Sequence, residues 1–178
     1  MSYLQNPKID NQATDGLNGV HNSLAYRVHE IEKHFHSPEY WYGRDATDGY
    51  LLLDGLESWT VTAGTGEAFG AAVQISDGTE IESGSSTKKM DIHRILFTDI
   101  SKADTTYVMI IRYGTGTFAL SERLTSLAIR VGSLTNESTP VEIMAPRIAC
   151  NNKIWVQTKS QTNNETLSFM VGVHTYVG

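Results

Sequence analysis

Residues 167–176 read Leu-Ser-Phe-Met-Val-Gly-Val-His-Thr-Tyr. Leu167, Phe169, Val171 and Val173 fall on one side of an extended chain, and Ser168, Gly172 and His174 fall on the other. That period of two is the pattern of a half-buried strand. Further upstream, Tyr107-Val-Met-Ile-Ile111 is apolar on both sides, which predicts a central strand covered by two layers. Short runs of the same kind place strands near 50–54, 57–63, 67–76, 92–100, 105–113, 115–121, 125–132, 140–145 and 153–158. Asp77-Gly78 and Gly114-Thr115-Gly116 supply hairpin or tight-turn chemistry between them. Many short strands behind a single helical segment argue for a mainly β fold, an antiparallel β-sandwich of jelly-roll type, over any βαβ arrangement.

The helical segment lies near the start of the chain. Leu17, Val20, Leu24, Val28, Ile31 and Phe35 follow one another at spacings of three or four, the stripe of an amphipathic helix. Asn18 or Asn22 can cap it, and Ser37-Pro38 stops it. A heptad frame also fits, with Leu17, Leu24 and Ile31 at d and His21, Val28 and Phe35 at a. Arg27 at g and Glu32 at e have the signs of an interchain pair. The stripe is therefore read in two ways, as a helix docked on its own domain or as an oligomerising coil. In the second case the large Phe35 at a and a β-branched residue at both core positions favour a homotrimer over a dimer. Residues 1–19 are polar and turn-rich and show no period, so they are expected to be an extended attachment arm that orders against a partner. The expected organisation is this arm, an oligomerising helix with its aromatic junction over 20–43, and a β-sandwich domain over 44–178.

Composition narrows the function classes. The chain has 178 residues and a net charge of −6. Residues 1–58 hold 4 Lys/Arg against 9 Asp/Glu, and the rest of the chain holds 10 against 11. An acidic first third with no basic stripe removes the electrostatic basis for binding nucleic acid. No apolar run approaches the ~20 residues that cross a bilayer, so no membrane partner is expected. The opening residues have neither a basic nor an apolar segment, so no secretory signal is expected. One cysteine, Cys150, cannot form an internal disulfide, which suits assembly in a reducing cytoplasm, and its position at a strand end suggests a partly buried structural thiol. Serine and threonine number 34, as many as Lys, Arg, Asp and Glu together, a composition that suits strand-rich virion or extracellular surfaces.

Motifs that suggest chemistry each fail by a particular residue. His29-Glu30-Ile31-Glu32-Lys33-His34 resembles a zinc-protease helix, but its histidines stand five apart and diverge by about 140°. Asp45-Ala-Thr-Asp48-Gly49 resembles a calcium loop, but Leu56 stands where a bidentate acid is needed. Gly64-Thr-Gly66 with Gly70 lacks the Lys-Ser/Thr of a phosphate loop. Cys150 with His93 or His174 would be a dyad only by an arrangement that spacing does not reveal. The residues thus predict no catalysis, no metal and no cofactor. Trp155, alternating with Ile154 and Val156, is expected to face outward and is the candidate ligand contact.

Leu24-Ala-Tyr-Arg-Val-His-Glu-Ile-Glu-Lys-His-Phe-His-Ser-Pro-Glu-Tyr-Trp-Tyr-Gly43 resembles the helix-to-aromatic junction of small virion structural proteins of tailed bacteriophages. Val141-Glu-Ile-Met-Ala-Pro-Arg-Ile148, Lys153-Ile-Trp-Val156 and residues 167–176 are similar to the closing strands of such proteins. The resemblance implies a non-enzymatic capsid decoration or head-fibre subunit on the virion surface, attached through its N-terminal segment to the capsid or another virion protein. A tail or fibre-tip module binding a host glycan is the alternative, and a carbohydrate-binding or hydrolase domain is the third class.

Overall fold

The computed structural model describes residues 39–131 and 140–176. The attachment arm, the helical stripe and its proposed oligomerisation residues Leu17, His21, Leu24, Arg27, Val28, Ile31, Glu32 and Phe35 lie outside the described residues.

Eleven strands are described: β1 (Glu39–Arg44), β2 (Leu51–Leu53), β3 (Trp59–Thr62), β4 (Val73–Ser76), β5 (Lys89–Ile100), β6 (Thr105–Gly114), β7 (Glu122–Val131), β8 (Val141–Glu142), β9 (Ile148–Ala149), β10 (Lys153–Ser160) and β11 (Thr166–Tyr176). They form two antiparallel sheets. In the first, the order is β2-β1-β11-β5-β8, with β3 also on β11 and β9 also on β5. The second runs β4-β10-β6-β7. Among the described residues the helical turns are two short 3-10 segments, Glu82–Gly84 and Phe118–Leu120.

The alternation at the chain's end decides which way β11 faces. Leu167, Phe169, Val171 and Val173 are fully buried and meet Tyr107, Met109 and Ile111 of β6, Ile154 and Val156 of β10, and Met90, Ile92 and Ile95 of β5 in one core. The sandwich reading holds because both sheets present a full apolar face, and each face can be desolvated only against the other. β6 is central in its sheet, flanked by β10 and β7, as its two-sided apolar run predicts.

Three expectations are corrected. Residues 39–43, assigned from sequence to a junction trailing the helix, are β1 and pair with β11 from Glu39↔His174 to Tyr42↔Val171. Tyr42 is a core residue, because alternating burial suits an aromatic triplet as well in a strand as behind a helix. The strand expected over 67–76 is confined to Val73–Ser76, since residues 63–72 cross from one sheet to the other. The strand expected over 115–121 is replaced by the 3-10 turn Phe118–Leu120 inside the β6–β7 connection, where Gly114 and Gly116 favour a turn.

Candidate functional site

Trp155 points away from the core, as its alternation with fully buried Ile154 and Val156 requires, yet it is only 5% exposed. The reason is tertiary. The turn Phe118–Leu120 folds back over the outer face of the second sheet, and Phe118 meets the indole edge-on with ring centroids 6.2 Å apart. Arg112, paired with Trp155 in the β6–β10 register, lies over the Phe118 ring at 5.3 Å and donates to the Ser121 hydroxyl and carbonyl, which clamps the turn. The expected exposed contact is thus a structural residue. Trp155→Ala should lower stability by about 2–3 kcal/mol, below a full core truncation because the turn can settle into part of the gap. A urea unfolding midpoint unchanged from wild type would contradict this packing.

The other sequence candidates resolve as turns or core. Asp45 and Asp48 accept backbone N–H bonds from Thr47 (2.6 Å) and Tyr50 (2.9 Å), so both carboxylates close the β1–β2 turn. Cys150 is buried in the core, where desolvation, then the nearby Glu82 charge, holds its thiol above the ordinary value. The core that holds Cys150 also takes Ile92 and Val173, the neighbours of His93 and His174, so alternation turns both imidazoles to the other face of the first sheet.

What the structure does assemble there is a group that the sequence reading missed: Asp91, His93, His174 and Tyr176. Asp91 and His174 are cross-strand partners on β5 and β11. The register then slips: Ile92 faces Val173 while Arg94 faces Gly172, which makes His93 the extra residue of a bulge. A bulge re-aims side chains, and here it brings the His93 ring over that of His174 at 4.4 Å with the planes 24° apart. One ligand atom from each of Asp91, His93 and His174 lies within 4.8 Å of the others.

The carboxylate is buried and unevenly satisfied. Tyr176 donates its hydroxyl to Asp91 Oδ2 at 2.8 Å, while Oδ1 has no hydrogen-bond partner and lies 3.7 Å from His174 Nδ1. Burial, then the bond to Asp91 and its charge, pushes the Tyr176 phenol up to about 12, so it remains a donor throughout the neutral range. Arg147 lies over the Tyr176 ring, 3.7 Å from its centre. Beside the group, Arg94 ties Glu39 of β1 to Glu142 of β8 at 2.9 and 3.0 Å. The signal available in the sequence was the pair of strand dipeptide steps Asp91-Ile-His93 and His174-Thr-Tyr176, each placing two polar groups on one face of an otherwise apolar strand.

No family model and no curated protein matches the chain. Among solved structures the chain is similar to one in the structure of infectious bursal disease virus, Gt strain, with 11% identity and a TM-score of 0.34 over 79% of this chain and 33% of that one. The chain therefore spans about a third of the length of that neighbour. At that TM-score the likeness carries no argument about role.

Proposed function

We propose that the chain is a non-enzymatic structural component of a tailed-phage virion, assembled in the host cytoplasm and decorating or projecting from the capsid as an oligomer. The observation that carries this reading is the apolar side chains left outside a core that the two sheets already close. Among the described residues strand β2 is an edge of the first sheet, and Leu52, Leu53 and, just beyond, Leu56 are exposed, Leu56 by 94%. Tyr40 on the adjacent strand is exposed as well. Leucines exposed together at a sheet edge are a liability in a free monomer and a contact surface in an assembly. The chain's residues 1–19 supply the attachment arm in this reading, and the stripe from Leu17 to Phe35 supplies the trimer contact. The glycan-binding alternative loses the residue chosen for it, since the indole of Trp155 is covered.

The test is the oligomeric mass of the full chain. At micromolar concentration, sedimentation equilibrium should return a trimer, and Leu24→Asp with Ile31→Asp should reduce it to a monomer while the β-type circular dichroism stays unchanged. Immunolabelling should then place the protein on particles. A monomeric wild type, or a double variant with wild-type mass, overturns the assembly proposed here.

A further inference from the structure

We propose that Asp91, His93 and His174 form a binding site for a divalent first-row transition metal, with zinc the natural occupant. This does not depend on the virion role. Three features converge on it. The donors of the three residues lie within 4.8 Å of one another on two neighbouring strands. Asp91, 5% exposed, holds one oxygen with no hydrogen-bond partner, and that oxygen faces the His174 ring. The bulge at His93 carries a second imidazole to the same place.

The donor set decides the class of metal. Two imidazole nitrogens and one carboxylate oxygen suit zinc, cobalt or nickel, whereas calcium and magnesium prefer sites made of oxygen alone. Metal–ligand bonds near 2.0–2.2 Å require the donors to draw in by about 1 Å, which rotation of two imidazoles about their soft terminal torsions can supply. Tyr176 acts on the carboxylate from behind: its bond to Oδ2 leaves Oδ1 to the ligand, the role of an outer partner that orients a metal-binding group. Three protein ligands would leave a further position for water.

The experiment uses the full chain stripped with chelator and titrated with Co2+. Binding of one equivalent with visible d–d absorption, reversed by Zn2+ and unaffected by excess Ca2+ or Mg2+, is the expected result. Loss of even an outer partner typically weakens a metal site 10–100-fold, so His93→Gln and His174→Gln should each weaken it by at least about 100-fold. His93 is only half-buried, and the metal-free unfolding midpoint of each variant separates ligand loss from misfolding. No absorption at millimolar Co2+ would overturn the proposal. Wild-type affinity in both histidine variants would overturn it too.

Discussion

Trp59→Ala should lower the free energy of unfolding by about 4 kcal/mol, in the upper part of the range for truncating a buried aromatic. Trp59 is 1% exposed and packs its ring 5.8 Å from that of Phe169, its register partner on β11. Its indole N–H also donates to the Gly49 carbonyl at 2.7 Å, so the same side chain fastens the β1–β2 turn to the core. Truncation opens a cavity and removes that carbonyl's donor, two costs that add because neither is relieved by collapse. Strand β3 has four residues and, among the described residues, pairs with β11 alone in the sheet. Urea unfolding of the full chain measures the effect, and Trp59→Phe should recover most of it by refilling the volume without the N–H. A loss below about 1.5 kcal/mol for the alanine variant would show that the site collapses onto the gap.

Gly70→Ala should cost about 3 kcal/mol, at the upper end of ordinary overpacking. A Cβ at this position would stand 1.8 Å from the Thr62 carbonyl oxygen, which is backbone and cannot swing aside. Gly70 lies where the chain passes from β3 in one sheet to β4 in the other. Its N–H donates to Thr158 O at 3.0 Å and its carbonyl accepts from Gln157 Nε2 at 2.8 Å, so it is also held to β10. Relieving the clash means breaking one of these attachments. Gly66 in the same connection is the control: its φ of +65° disfavours a side chain, but no atom lies within 4 Å of the added Cβ. Gly66→Ala should cost about 1–2 kcal/mol, the ordinary left-handed penalty. Equal midpoints for the two variants would mean that the crossing at Gly70 yields freely.

The metal proposal and the sequence expectation of no metal differ for an identifiable reason. Metal motifs are legible in a sequence as spacing along one element, as in the near-motif His29–His34. Asp91 and His93 are separated from His174 by some eighty residues, and they meet through the pairing of β5 with β11. Neither that pairing nor the one-residue slip that exposes His93 to His174 leaves a trace in composition or period.

Local alternation determined a good deal by itself. The two-sided apolar run of Tyr107–Ile111 and the strict alternation of residues 167–173 were enough for strands β6 and β11, for the faces they bury and for a sandwich, because side-chain direction in an extended chain depends only on parity. Parity also set Trp155 against the core-facing Ile154 and Val156, correctly, but direction is not exposure. Whether an outward residue meets water depends on what folds over it, and the Phe118–Leu120 turn is brought there by the β6–β7 connection and the Arg112 clamp. The order of strands, the conversion of the Tyr40–Gly43 aromatics into β1 and the gathering of Asp91, His93, His174 and Tyr176 were decided only in the tertiary structure. Each depends on contacts between residues distant in the chain, whose energies are set by which faces must be covered rather than by any local preference.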